Sequence, residues 1–269
     1  MLVLVLPAYN ESEAIGPLLD RVAPAFRETE GPASVLLVDD GSADGTADLA
    51  RAKAAELGLE LEVAAHDGNR GLGAALRTGL SRGTELAGGD GVVVVMDTDN
   101  THDPALIPTM AAKLTSGFDV VIASRYAPGG KEVGLSPRRR VMSRGASLLL
   151  RLLVPVRGAR DYSCGYRVYR ASTLRRAFEV YGDEFITESG FVSSAEILLK
   201  CAWLPARIGE VPLVLRYDLK GGASKMNVGA TVRRYLRLAA AGKRTAARAR
   251  RAAARAGAGD GALSGGRTA

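Results

Sequence analysis

Apolar residues in this chain gather in short blocks, separated by segments where they recur every three or four positions. The blocks are Leu2–Leu6, Ser34–Val38, Leu59–Ala65, Val92–Met96, Asp119–Ser124 and Ile208–Leu215. Runs of this length, rich in Val, Leu and Ile, read as strands buried on both faces of a parallel sheet. The intervening segments Glu13–Glu28, Thr46–Leu57, Ala74–Leu86 and Pro104–Gly117 predict helices, with Asn10 or Ser12 capping the first. Strand then helix, repeated, implies right-handed crossovers and an α/β fold: one Rossmann-like, mostly parallel sheet flanked by helices. Past residue 124 the alternation loosens. Ala127–Pro137 is rich in Gly and Pro and predicts a mobile loop. Ala146–Val154 predicts a helix, the stretch from Arg167 to Lys200 more helix, and Thr231–Ala241 an amphipathic basic helix.

Each of the first four strands stops at a polar cluster: residues 7–11, 39–42, 66–73 and 97–103. In a doubly wound sheet such ends converge on one crevice, where ligands bind. Asp97 and Asp99, one residue apart, end the Val92–Met96 block. Oxygen donors so placed suit Mg²⁺ or Mn²⁺ shared with the phosphates of a nucleotide, the plainer reading being an Asx turn. Gly68, Gly71 and Gly73 would let backbone approach a ligand closely, but at neither dinucleotide nor P-loop spacing. His66 and His102 have no soft ligands beside them, so a zinc site is not expected. Arg138–Arg144, ahead of an apolar helix, reads as a solvated face, an anion site or a membrane-surface element.

Composition changes this picture in one respect. The 269 residues carry a net charge of +7, and hydrophobic content of 47% is that of a globular chain. Ten Lys or Arg and one acid (Asp260) lie from Thr231 onward, which leaves 26 basic and 28 acidic residues in 1–230. The excess charge therefore belongs to the C-terminal region. That region lacks aromatics after Tyr235, so nucleic acid is not an expected partner. Attraction to an anionic membrane surface is. Cys164 and Cys201 are too few for a disulfide framework and fit a reducing cytosol. Met1–Leu6 runs into Pro7 without a basic leader, and no apolar run reaches about 18 residues, so neither a secretory signal nor a spanning helix is expected.

Pro7-Ala8-Tyr9-Asn10-Glu11, Asp39-Asp40-Gly41-Ser42-Ala43-Asp44-Gly45-Thr46, Asn69-Arg70-Gly71-Leu72-Gly73 and Asp97-Thr98-Asp99 stand in this order. The chain thereby resembles the family 2 glycosyltransferases of GT-A fold. Ser124-Arg125-Tyr126, Arg139 with Ser143, residues 161–167, Glu210-Val211-Pro212 and Ser224-Lys225-Met226 resemble the branch acting on polyprenyl (dolichyl) phosphate. The likeness spans roughly residues 3–240 and implies an inverting enzyme that moves mannose or glucose from a GDP- or UDP-sugar to a polyprenyl phosphate. On matching positions it implies that Pro7, Tyr9, Glu11, Asp40 and Gly71 line the nucleotide pocket, and that Asp97 and Asp99 hold Mg²⁺ or Mn²⁺. Arg125, Arg139 and Ser143 would bind the acceptor phosphate; Lys225 would steady a phosphate near the site mouth; Arg216 and Ser224 would be further substrate contacts; Asp161 would serve as a polar contact or base. The implied setting is cytoplasmic, at the inner face of the membrane. The implied organisation is a GT-A domain over 1–230, a basic helix over 231–241 and a disordered tail over 242–269.

Two positions depart from the family pattern. Thr101 stands where Gln is common, which leaves Asp103 as a substitute ligand, and Leu219 stands where the branch usually has Arg. The alternative function is transfer to a hydroxyl acceptor. That reaction needs a general base, the role then falling to Asp161.

Overall fold

A computed structural model describes residues 1–135, 137–190, 192–219, 233–238 and 240. The strands are β1 (Leu2–Ala8), β2 (Ala33–Asp39), β3 (Leu61–Ala65), β4 (Val92–Val95), β5 (Val120–Ser124), β6 (Lys131–Val133), β7 (Arg167–Arg170), β8 (Ile208–Pro212) and β9 (Val214–Arg216). The helices are α1 (Ser12–Arg27), α2 (Thr46–Leu57), α3 (Leu72–Ala87), α4 (Ile107–Thr115), α5 (Pro137–Leu153), α6 (Ala171–Tyr181) and α7 (Val192–Trp203). Seven strands form one sheet in the order β3-β2-β1-β4-β7-β5-β8. All its pairs are parallel except those of β7, which runs antiparallel to β4 and β5. The mostly parallel sheet expected from the alternation is present.

Its apolar blocks are buried because helices cover both faces. Val3, Leu4, Val5 and Leu6 have no exposed surface, nor do Leu36, Leu37, Val38, Val93 and Val94. Helix α3 lies close on β1 through a glycine face: a Cβ at Gly79 would stand 2.3 Å from Val5 Cγ1. That close approach brings the start of α3 to the carboxyl ends of β1, β2 and β4.

Four expectations are corrected. The segment after Arg167 begins with strand β7, not helix; it was hidden because Arg167 and Arg170 bracket only two apolar residues. The Arg167 guanidinium is wholly buried, donating to the carbonyls of Ser194 and Tyr162. Ile208–Leu215 is two strands. Pro212 lacks an N–H, and Leu213 donates to Ser124 O at 2.9 Å and accepts from Lys131 N. This hands the chain from the large sheet to a two-stranded ribbon of β6 and β9. The predicted loop 127–137 therefore contains β6. Helix α5, finally, starts at Pro137, a favoured first helical position, and takes the three arginines 138–140 into its first turns.

Residues 233–238 are helical, and Tyr235 and Leu238 belong to the same hydrophobic core. The basic helix expected over 231–241 is thus packed on the α/β domain over its described part. Burial pushes the Tyr235 hydroxyl up to about 12, so it stays protonated at neutral pH. Among the described residues no helix is long and apolar enough to cross a membrane.

Candidate active site

The carboxyl ends of β1, β2 and β4 and the loop after β3 enclose a cleft of about 260 Å³. Pro7, Ala8, Tyr9, Glu11, Asp40, Asn69, Gly71, Leu72, Ala75, Asp97, Thr98 and Asp99 line it. Every nucleotide-pocket and metal candidate from the sequence is in this wall. Tyr9 is 46% exposed, so its ring offers an apolar face at the mouth.

The string from Asp39 to Thr46 acts mainly as a brace. Ser42 Oγ accepts from Asn10 N at 3.0 Å, Thr46 Oγ1 from Glu11 N at 2.9 Å, and Asp44 Oδ2 from Ser12 N at 3.0 Å. Three side chains thereby fix the 10–12 backbone, where Asn10 takes φ +56°. Burial raises the Asp44 carboxyl's pKa, but hydrogen bonds from Thr46 and Ser12 outweigh it and hold it at about 2. Asp40 is buried and organises the next loop. Its Oδ1 accepts from His66 Nδ1 at 2.7 Å and Arg70 N at 3.0 Å, and its Oδ2 from Gly71 N at 2.7 Å. Asp40 thus shapes the cleft wall as well as facing it.

Gly41 makes this loop contact possible. Its φ is +74°, and a Cβ there would stand 2.5 Å from the Gly68 backbone. Gly41→Ala is expected to destabilise the fold by about 2 kcal/mol, from left-handed strain and a displaced 68–71 loop. A thermal melt would read this as a drop of roughly 4–8 °C. An unchanged melting temperature would contradict the close approach.

Asp97 and Asp99 leave β4 into a tightly tied turn. Asp99 Oδ1 accepts from Thr101 Oγ1 at 2.6 Å and from Thr101 N at 3.2 Å. Thr101 is buried and both its hydroxyl and its N–H are spent on Asp99. Asp103 is engaged elsewhere: its Oδ1 accepts from Ala105 N and pairs with Arg21 at 3.2 Å. Behind Asp97, the buried His102 accepts the Asp97 N–H on Nδ1 at 3.3 Å. Its Nε2 stands 4.0 Å from both Asp97 Oδ2 and Cys164 Sγ. Burial lowers the His102 pKa against the pull of Asp97 and Asp99, giving a neutral ring with its proton on Nε2. Room beside Asp97 is left by Gly165, where a Cβ would sit 3.3 Å from Oδ1.

Among the described residues no cluster of three or more His, Cys, Asp or Glu forms a protein cage for a metal. Two carboxylates on one cleft wall fit a hard divalent cation that takes its other ligands from phosphate oxygens and water.

Two residues before Ser163 and three before Cys164, the chain carries a second polar cluster. Asp161 is wholly buried and bridges Arg125 bidentately, Nε to Oδ2 and Nη2 to Oδ1, both at 2.7 Å. Its oxygens also accept from the N–H groups of Arg125, Ser163 and Cys164. Burial raises the Asp161 pKa, yet the Arg125 charge and these bonds hold it below the usual carboxylate value. Arg125 is likewise kept fully protonated by Asp161 in spite of its burial. Of the two roles expected for Asp161, this engagement fits the polar contact and weighs against the base, because its oxygens are already taken. Arg125 is engaged through Nε and Nη2, the latter also donating to Ser163 Oγ at 2.7 Å, while Nη1 lies 3.6 Å from Glu132.

Ser143 on α5 bonds Tyr126 Oη at 2.9 Å. Arg139 stands one turn earlier on α5, its side chain outside the described residues, as are Ser224 and Lys225. Arg216 does not line the cleft: its guanidinium holds Asp218 at 2.7 Å, and its N–H donates to Thr101 O at 3.1 Å. The sequence reading named neither His102 nor Glu132 for the site. His102, three residues after Asp99, was weighed only against zinc, and Glu132 sits in a Gly-rich stretch with no pattern around it.

Comparison with known proteins adds to this geometry. Residues 3–178 match the model of Glycosyl transferase family 2. The chain is 36% identical to an undecaprenyl-phosphate mannosyltransferase of Micrococcus luteus, over 84% of this chain and 87% of that one. It is 32% identical to a polyprenol monophosphomannose synthase of Mycolicibacterium smegmatis, over 86% and 82%. Among solved structures it resembles glucosyl-3-phosphoglycerate synthase of Mycobacterium tuberculosis, crystallised with Mn²⁺, UDP and glucosyl-3-phosphoglycerate. The TM-score is 0.61 at 21% identity, covering 88% and 78% of the two chains, a likeness of fold.

Proposed function

The chain belongs to glycosyl transferase family 2, and on that premise we propose that it transfers a mannosyl group from a nucleoside-diphosphate sugar to a polyprenyl phosphate. The observation that carries this reading is a pair of polar clusters linked by a chain of buried contacts. A carboxylate-rimmed cleft at Asp97 and Asp99 is joined through His102 and Cys164 to an arginine-bearing cluster at Arg125 and Arg144. Names of the relatives, which act on undecaprenyl or polyprenol phosphate, support the same acceptor.

In this reading Tyr9, Pro7, Glu11 and Gly71 contact the donor's nucleoside, and Asp40 holds their loop in register. Asp97 and Asp99 would hold Mg²⁺ or Mn²⁺, whose charge would stabilise the leaving diphosphate. The acceptor phosphate is already an anion, so the protein has only to position it and offset charge repulsion. Attack opposite the leaving group inverts the anomeric carbon. The engagement of Asp161 weighs against the hydroxyl-acceptor alternative, which relied on that carboxylate as its base. Arg139 and Ser143, on successive turns of α5, together with Lys225, remain the proposed acceptor contacts. Arg125 contributes through Nη1.

The test is transfer itself. Purified protein, a panel of GDP- and UDP-sugars, Mg²⁺ or Mn²⁺ and a short polyprenyl phosphate should yield a glycosylated lipid with stoichiometric nucleoside diphosphate. Diphosphate release without lipid product would retain the family and remove the acceptor.

We also place the protein peripherally at the inner membrane face. Arg233, Leu236 and Arg237 are exposed on the packed 233–238 helix, ahead of the Arg-rich residues 242–269. Truncation at Gly242 should weaken binding to anionic liposomes at low salt, each basic residue contributing about 1 kcal/mol near the surface. Equal binding by both forms would remove the tail from this role.

A further inference from the structure

A second cavity, of about 620 Å³ against 260 Å³ for the donor cleft, opens between α5 and the outer edge of the large sheet at β8. Phe118, Pro128, Leu148, Leu152, Val156 and Pro212 give it an apolar lining. Leu148 is 54% exposed and Leu152 74%, so one wall presents leucine to water. Clustered apolar exposure of this kind marks a surface that something covers. Both walls of the groove begin at the cluster proposed for the acceptor phosphate. Arg144, Leu148 and Leu152 stand four residues apart on α5 and share one helix face. Arg144 Nε lies 3.9 Å from Glu132, which also faces Arg125, and Leu152 is about 12 Å further along the helix axis. On the other wall Ala127 and Pro128 directly follow Tyr126, whose hydroxyl meets Ser143 at 2.9 Å.

Resting on the acceptor reading above, we infer that this groove holds the first isoprene units of the polyprenyl chain while the phosphate stands at the arginines. Charge argues for that occupant over the chain's own C-terminal region. Lys113, Arg151 and Arg160 line the groove against one acid, Glu210, whose Oε1 accepts from the N–H groups of Arg160 and Asp161. A rim of that sign repels the Arg-rich residues 242–269 and suits an apolar molecule with an anionic head. Length sets how much of the lipid is read. An isoprene unit extends by about 5 Å, so the distance from Arg144 to Leu152 takes two to three units. Later units pass Leu152 and leave the protein. The groove thus reads the isoprenoid next to the phosphate and ignores the total length of the lipid.

The test is a chain-length series in the absence of donor and of vesicles. Isopentenyl, geranyl, farnesyl and geranylgeranyl phosphates are titrated into the full chain below their micellar concentrations. Affinity should rise about tenfold with each of the second and third units, as apolar surface leaves water, and level off at the fourth. The double variant Leu148→Gln with Leu152→Gln changes two exposed positions and should melt like the parent. It should bind farnesyl phosphate about a hundredfold more weakly, at the level of isopentenyl phosphate. A flat series in the parent would overturn the inference. So would a series equally steep in the double variant, and weaker flotation of that variant with liposomes would then give the leucines to a bilayer. A steep series that depends on both leucines, in a protein that transfers no sugar to any of these phosphates, keeps the groove and removes the acceptor reading. Transfer to isopentenyl and farnesyl phosphates at equal KM keeps the acceptor reading and removes the groove.

Discussion

Asp99→Asn is expected to lower kcat/KM for sugar transfer by about a thousandfold while leaving the melting temperature within about 2 °C of the parent. The fall corresponds to about 4 kcal/mol of lost transition-state stabilisation, the size expected when one charged ligand to a divalent cation becomes neutral. Stability is preserved because Asn keeps the oxygen that accepts from Thr101 Oγ1 at 2.6 Å, so the turn after β4 holds its shape. Metal titration of nucleotide binding separates this from a folding effect. The variant should need far more Mn²⁺ to bind the donor, and a variant with parental metal dependence would remove Asp99 from the ligand set. Thr101→Val, which loses only the positioning hydroxyl, should show the same trend with a fall of about tenfold.

Asp161→Ala should show the opposite signature, a loss of fold. Removing one partner of a buried pair strands the Arg125 charge and three backbone N–H groups, at a cost of about 3–5 kcal/mol. In a chain of this size the melting temperature should drop by roughly 10 °C. Replacing both partners, Asp161→Leu with Arg125→Met, should recover much of that loss, since the desolvation of both charges disappears. The pH dependence has a definite sign. Asp161 is held below its ordinary value of 3.8, so its contribution is complete above about pH 4 and fades as pH falls through the lowered folded value. The stability gap between parent and Asp161→Ala should be constant near neutrality and narrow only below about pH 4. A gap that widened in acid would mean that Asp161 is protonated in the native protein. A merely catalytic Asp161, acting as base for a hydroxyl acceptor, would show lost activity with normal melting instead.

These contrasting signatures separate two carboxylates that look alike in the sequence. Asp97 and Asp99 could be read early as candidate ligands, because they end an uncharged β-branched run at the carboxyl-terminal edge of the sheet, with an Asx turn as the plainer alternative. Asp161 carried no such information. Its neighbours Tyr162 and Ser163 do not reveal that Arg125, 36 positions earlier, reaches it with three hydrogen bonds. The string around Asp40 was legible as a family signature but not in its mechanism. Only the packed loops show that Ser42, Asp44 and Thr46 grip the 10–12 backbone, and that Gly41 lies against Gly68. Strand β7 escaped for a different reason: a buried arginine breaks the apolar pattern by which central strands are recognised.

The sequence by itself determined the alternation of strands and helices, the parallel sheet and the convergence of strand-end clusters on one cleft. Those follow from hydrophobic periodicity and from turn chemistry, which act over a few residues and are written locally. Tertiary structure alone decided which charged side chains line the cleft and which are held in ion pairs. Whether Arg125, Asp161, Glu132 or Arg216 can meet a substrate depends on the opposite charges brought near them by distant segments. Charge pairing across a fold is set by three-dimensional proximity and burial, and neither is encoded in spacing along the chain.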